Sequence, residues 1–204
     1  MAIVVQAAVE GITDEAVVKR LAAHVGAHVG AVYGKNGKPA LRQRMNGYNQ
    51  AARHAPWIVV ADLDRDHDCA PRLVGEWLGE PSALMCFRVA VRAVEAWLLA
   101  DGEAIAGFLG VARTAIPATS PDDLDDPKRT LVDLARKSRR REIREDMVPR
   151  PASGRSVGPA YASRLIEFAT SAWRPDAAAE RSESLRRAIA SLERLVEAHA
   201  RGGR

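Results

Sequence analysis

Cysteine is scarce: Cys69 and Cys86 are the only two in 204 residues. Without a Cys-x-x-Cys pair the chain cannot build a cysteine-ligated structural zinc site. Free thiols and no disulfide are the expectation, and with them a reducing, cytoplasmic setting. Long apolar runs are also missing, and none approaches the ~20 residues of a membrane span. The stretch Met1 to Val9 has no basic region and no small-residue cleavage site, which argues against a signal peptide. Familiar catalytic signatures are absent too. There is no Gly-x-Ser-x-Gly, no His-Glu-x-x-His and no Cys/His nucleophile pair. Gly30 to Asn36 lacks the spacing and the Ser/Thr of a nucleotide P-loop. The run Asp62-x-Asp64-x-Asp66 imitates a calcium loop, but His67 and Leu73 stand where that loop needs Gly and Glu.

What is present is organised around Trp57-Ile58-Val59-Val60-Ala61-Asp62-Leu63-Asp64. The apolar part is long enough for one buried strand and too short for a typical helix. Alternation along a strand would point Asp62 and Asp64 the same way. Two such carboxylates repel, so either one is protonated or a cation lies between them. Asp66, His67 and Asp68 follow as solvated loop residues.

Ile3 to Val9 reads as a first buried strand ending at Glu10-Gly11. Thr13 would cap a helix whose apolar side is Val17, Val18, Leu21 and Val25, with Asp14 and Glu15 as favourable first-turn acids. A strand at Val29 to Tyr33, a helix at Ala40 to His54, a short helix at Pro71 to Leu78 and a strand at Leu84 to Val89 come next. Helices at Ala90 to Leu99 and from Asp101 to about Gly110 complete the first part. This order predicts an α/β fold with a mostly parallel sheet flanked by helices. Residues 111–127, rich in Pro, Ser, Thr and Asp, are the natural break. They divide a core, 1–110, from a basic, mainly helical extension, 111–204. Helices are expected there at Lys128 to Lys137, with Pro127 at the first position, at Tyr161 to Phe168 and at Ser184 to Ala200.

Charge is uneven. Residues 1–110 hold 11 Lys/Arg against 12 Asp/Glu, and residues 111–204 hold 19 against 14. Lys128 to Arg155 alone holds ten basic and four acidic residues, densest at Arg139-Arg140-Arg141. That pattern suits a cation site beside a polyanion-binding surface, and equally a solvated helical face. The stretch contains no aromatic residue, so it offers phosphate neutralisation without base stacking.

Glu10 and the Asp62/Asp64 pair both fall at carboxyl ends of parallel strands, where open α/β sheets bind ligands. An all-oxygen set suits Mg²⁺ or Mn²⁺. Glu10 also suits a plain anion at a helix N-terminus, and Asp62 a loop cap. On a helical wheel Glu95 falls among Val94, Leu98 and Leu99. A carboxylate on an apolar face needs a cation, either a metal or an arginine such as Arg88 or Arg92.

Val9-Glu10-Gly11-Ile12-Thr13-Asp14, Val60-Ala61-Asp62-Leu63-Asp64, Val94-Glu95-Ala96-Trp97-Leu98-Leu99-Ala100-Asp101 and Pro127-Lys128 together resemble the Toprim fold. In particular they resemble a Toprim-like family of unknown function often found in bacterial defence loci. That family is similar to the nuclease domains of the overcoming-lysogenization-defect ATPases and to Toprim-like RNases. The resemblance covers about residues 3–137, and Asp14 stands where relatives often carry Glu. It implies a Mg²⁺- or Mn²⁺-dependent nuclease. Glu10, Asp62 and Asp64 would be catalytic and metal-binding, Glu95 a further metal ligand. Lys128, Arg129, Arg139, Arg140 and Arg141 would hold DNA or RNA. A non-catalytic nucleic-acid-binding or regulatory module working with a partner ATPase is the alternative, and turnover of a small nucleotide a third. No tyrosine stands in a nucleophile context, which argues against topoisomerase activity.

Overall fold

Four short apolar strands set the architecture. The computed structural model describes residues 3–65, 67 and 69–202. The strands are β1 (Ile3–Val9), β2 (Ala27–Gly34), β3 (Trp57–Asp62) and β4 (Met85–Ala90). They form one sheet in the order β2-β1-β3-β4, and every neighbouring pair is parallel. Side-chain alternation divides the core between the two faces. Val5, Ala7, Val9, Ile58, Val60, Cys86 and Ala90 belong to one buried cluster. Ala8, Trp57, Val59, Ala61, Phe87 and Val89 belong to the other.

Helices cover both faces, as parallel crossovers require. On the first lie α1 (Ile12–His24), α4 (Val94–Ala100), α8 (Tyr161–Ser171) and α10 (Glu183–Gly202). On the second lie α2 (Lys38–Ala51) and α3 (Ala70–Trp77). The remaining helices are α5 (Gly102–Leu109), α6 (Pro127–Arg136), α7 (Arg141–Met147) and α9 (Pro175–Ala179). The fold is thus α/β: an all-parallel sheet flanked by helices, with a helical C-terminal extension. Among the described residues no helix is long and apolar enough to cross a membrane.

The extension shares the core of the first part. Trp97 and Trp173 are both fully buried. Trp173 Nε1 donates to the Trp97 carbonyl at 3.2 Å, and Trp97 Nε1 donates to Ser184 Oγ at 2.7 Å. Leu185, Ile189, Leu192 and Leu195 of α10 join the same cluster as β1. The Pro-rich stretch contains two short 3₁₀ turns and is anchored. Asp122 accepts from Ser182 Oγ at 2.8 Å and from the Ser184 amide at 2.9 Å.

Several boundaries differ from expectation for local reasons. Gly11, not Thr13, caps α1, and Asp14 Oδ2 accepts the Gly11 amide at 2.7 Å. The expected helix at Ala90 begins only at Val94, because β4 stays paired with β3 as far as Ala90. Helix α7 has too few apolar anchors, Ile143 and Met147, to show a pattern.

The chain wraps the end of β1 through one glycine. Gly34 has φ +88°, and a Cβ there would meet the Val9 carbonyl oxygen at 2.2 Å. The following loop donates from Lys35 N to Val9 O and from Gly37 N to Glu10 O. Gly34→Ala combines a disfavoured φ with a backbone clash, so it is expected to cost at least about 2 kcal/mol. Urea unfolding checks this, and a loss below about 0.5 kcal/mol would show that the loop relaxes freely.

Candidate functional site

The strand order reverses direction between β1 and β3, so a crevice opens at their carboxyl ends. Glu10 follows β1 and Asp62 ends β3. Glu10 Oε1 accepts the Asp62 amide at 2.8 Å. Asp62 Oδ1 accepts the Val94 amide, at the start of α4, at 3.0 Å. Neither Glu10 Oε2 nor Asp62 Oδ2 takes a hydrogen bond from a described residue. Glu95, one residue into α4, is buried at 5% exposure. Its Oε1 accepts from Tyr161 Oη at 3.4 Å and lies 3.8 Å from Lys128 Nζ. Its cationic neighbour is therefore Lys128, and not Arg88 or Arg92.

Asp64 departs from the alternation argument. The strand stops at Asp62, and the chain follows β4 instead, through Leu63 N to Ala90 O and Asp64 N to Arg92 O, both 2.8 Å. Asp64 has φ +53° and Arg92 φ +64°, a pair of non-glycine residues in left-handed backbone beneath the site. The Asp64 side chain is half exposed and paired with Lys38 Nζ at 3.0 Å. It therefore does not stand side by side with Asp62.

Asp14 is the member that sequence reasoning left in the role of a first-turn anion. It is buried at 7% exposure, facing the same crevice. A signal was available: positions 14, 17, 18 and 21 share one face of α1, so Asp14 lies on the apolar side, as Glu95 does on α4.

Burial and mutual repulsion shape the electrostatics. Burial, helped by Asp14 and Asp64 nearby, pushes the Glu10 carboxyl up to about 7, against the Asp62 amide and Lys38. Burial and the Glu95 charge push Asp14 up to about 6. Asp62 keeps some accessible surface, but its carboxyl group is deeply enclosed. Burial first, then Asp14, Glu95, Glu10 and Asp64, raise it well above the usual carboxylate range. Tyr161 is likewise raised, by burial and by Glu95.

Of these residues Asp62 lines a cleft of about 410 Å³, together with Asp64, Arg65, Arg92, Asp126 and Lys128. Asp126 and Lys128 also line a second cleft, about 450 Å³, with Arg129, Arg136 and Arg155. The basic groups next to the acids are therefore Lys128, Arg129, Arg136 and Arg155, of which Arg129 and Arg136 also pair with Asp133, at 3.8 and 2.9 Å. The densest basic run lies elsewhere. The Arg139 amide donates to Gly110 O, Arg140 Nη1 donates to Phe108 O, and Arg141 pairs with Glu145 at 2.7 Å. Asp66 and Asp68 lie outside the described residues. His67 is 3.6 Å from Glu76 and faces another cleft.

The donor set is all oxygen, the kind Mg²⁺ or Mn²⁺ takes, and Lys38, Arg65, Arg92 and Lys128 are the cations around it. Among the described residues, no three His, Cys, Asp or Glu side chains are already gathered to hold an ion. Asp64 is instead engaged by Lys38 Nζ at 3.0 Å. Compared with protein-family models, curated proteins and solved structures, the chain matches none.

Proposed function

We propose that the protein is a divalent-metal-dependent nuclease, hydrolysing the phosphodiester backbone of DNA or RNA. One observation carries this reading: Glu10, Asp14, Asp62 and Glu95 converge at the crevice, and Lys128 joins that acidic cleft to a basic one. Glu10, Asp62 and Glu95 are the residues that would hold Mg²⁺ or Mn²⁺, and Asp64 would join them only on release from Lys38. When bound, the metal supplies a site for orienting water and for offsetting negative charge on the phosphate. The chain's own groups do the rest. Glu10, pushed to about 7, can exchange a proton near neutral pH and serves as general acid or base. Lys128 and Arg129 bind backbone phosphates, with no means of reading sequence.

The decisive assay incubates the purified protein with labelled DNA, RNA and tRNA, with Mg²⁺, Mn²⁺ or chelator. Metal-dependent cutting, lost in Glu10→Gln and Asp62→Asn, supports the reading. Lys128→Ala is expected to weaken nucleic-acid binding several-fold across unrelated sequences, and to flatten the log affinity–log salt slope by about one. Fluorescence anisotropy over a salt series measures both. An unchanged slope removes Lys128 from the phosphate-binding surface.

One observation favours a second reading. Among the described residues the carboxylates are not gathered into a ligand set, and Lys38 engages Asp64. On that reading the chain is a nucleic-acid-binding or regulatory module acting with a partner ATPase. Binding without cutting on every substrate and metal selects it.

A further inference from the structure

Strand β4 ends the sheet, and its outer edge is open. Its register with β3 pairs Trp57 with Met85 and Asp62 with Ala90. Trp57 N donates to Leu84 O and Leu63 N to Ala90 O. Residues 84, 86, 88 and 90 therefore bond inward, and the amides and carbonyls of Phe87 and Val89 point away from the sheet. Met85 is accounted for by a turn bond to Ser82 O.

A groove runs along this edge. Two cavities, about 330 Å³ and about 440 Å³, meet at Val74 and Arg88. Both touch α3 on one face of the sheet and α10 on the other, so the groove passes over the outer edge of β4. Its walls are largely apolar, with Val74, Val89, Met85 and Leu195 among them. Asp122, Glu183, Arg187 and Arg194 are among its polar members, and Arg88, shared by both cavities, is the one among the described residues left unpaired at its centre. Its Nε is buried without a partner, and its guanidinium makes no hydrogen bond or ion pair with a described residue. A buried N–H is normally hydrogen-bonded, and Nε lacks a bond while the rest of the half-buried guanidinium reaches the groove, where an anion could complete it. The acids along the groove are already engaged: Asp122 by Ser182 and Ser184, Glu183 by Arg186 and Arg187. The unmatched charge in the groove is positive, with Arg194 adding to Arg88.

We propose that this groove binds an extended acidic peptide segment of a partner protein. The segment adds as a strand to β4, bonding through its main chain to Phe87 and Val89 and placing a carboxylate on Arg88. Open edges are otherwise a hazard that proteins block with charge or a covering element, and here the two flanking helices leave a channel instead. A second copy is the poorer occupant. Pairing β4 with β4 would bring two Arg88 side chains together, and β2, the other edge, carries no acid to offer. The inference does not depend on the nuclease reading.

Selection from a random-heptapeptide display library on the full chain tests it. Enriched peptides are expected to alternate apolar residues and to carry Asp or Glu. A synthesised winner should lose about tenfold or more in affinity on Arg88→Met, as removal of a charge-assisted bond does. It should lose as much on Val89→Pro, which deletes an outward amide on an edge strand, where proline is tolerated. Circular dichroism checks that both variants fold. N-methylating alternate peptide amides reads strand addition with the protein untouched, and should abolish binding. Enrichment no greater than on Val89→Pro overturns the proposal, as do winners without acidic residues or affinity indifferent to N-methylation. Concentration-dependent dimerisation lost in Val89→Pro would give the groove to a second copy and overturn it equally.

Discussion

Asp62→Asn is expected to make the protein more stable and inactive at once. The Asp62 carboxyl is raised by burial and by four acidic neighbours. An ionised group so placed weakens the folded state unless a cation compensates it. Asparagine keeps the oxygen that caps Val94, because the amide carbonyl can accept that bond, and it removes the charge. The expected gain is about 1–2 kcal/mol at pH 8 in chelator, the usual size of a well-chosen stabilising change. Urea unfolding measures it. Cleavage should fall on the order of a thousandfold, since several kcal/mol of transition-state stabilisation leave with the charge. This opposition separates a functional carboxylate from a structural one. A structural Asp62 would give a destabilised variant whose activity falls only as far as its folded fraction.

Stability should also fall with rising pH in the absence of divalent ions. Glu10 is raised from 4.5 to about 7, and Asp14 from 3.8 to about 6. A raised carboxyl keeps its proton in the folded chain at pH values where the unfolded chain has released it. The folded state then binds more protons, so stability declines as pH climbs from about 4 to about 7. Each shift corresponds to roughly 3 kcal/mol at about 1.36 kcal/mol per unit, and the two are coupled, so about 3 kcal/mol is the expected loss between pH 5 and pH 8. Asp101 works the other way. Burial raises it, but Arg174, bonded at 2.7 Å, wins and lowers it. Its contribution is lost only as pH drops below the ordinary carboxylate range, outside this window. Mn²⁺ should restore stability at pH 8 and do little at pH 5, by preferential binding to the folded, ionised cluster. Scanning calorimetry with chelator and with Mn²⁺, at both pH values, makes the comparison. A flat profile from pH 5 to 8 would mean the cluster is solvated rather than buried.

Much of this was legible in the chain. Ile/Val-rich runs of strand length placed β1 and β3, and their carboxyl ends placed Glu10 and Asp62. A wheel placed Glu95 on an apolar face, and it is buried. The differences have physical origins. Asp64 was read by alternation, which holds only while the strand continues, and the chain leaves β3 after Asp62 to follow β4. Asp14 was read as a dipole-stabilising acid, because first-turn acids are common on helices, although its face was already apolar. Arg139 to Arg141 stood out by density, but density says nothing of direction: none of them lines the cleft beside Lys128, and the Arg140 and Arg141 side chains bond to Phe108 and Glu145. Arg136 and Arg155 flank the basic cleft because α6 and the loop near 155 come together only in three dimensions. The edge groove of β4 is invisible to sequence for the same reason.

The central claim is a divalent-cation site formed by Glu10, Asp62 and Glu95 at the strand ends. Mn²⁺ binding, followed by electron paramagnetic resonance at pH 8, tests it most directly. The expected result is saturable binding tighter than about 1 mM, lost in Asp62→Asn and strongly weakened in Glu10→Gln, with both variants folded. Binding that is equally strong in both variants, or none by the wild type at about ten times that concentration, would contradict it.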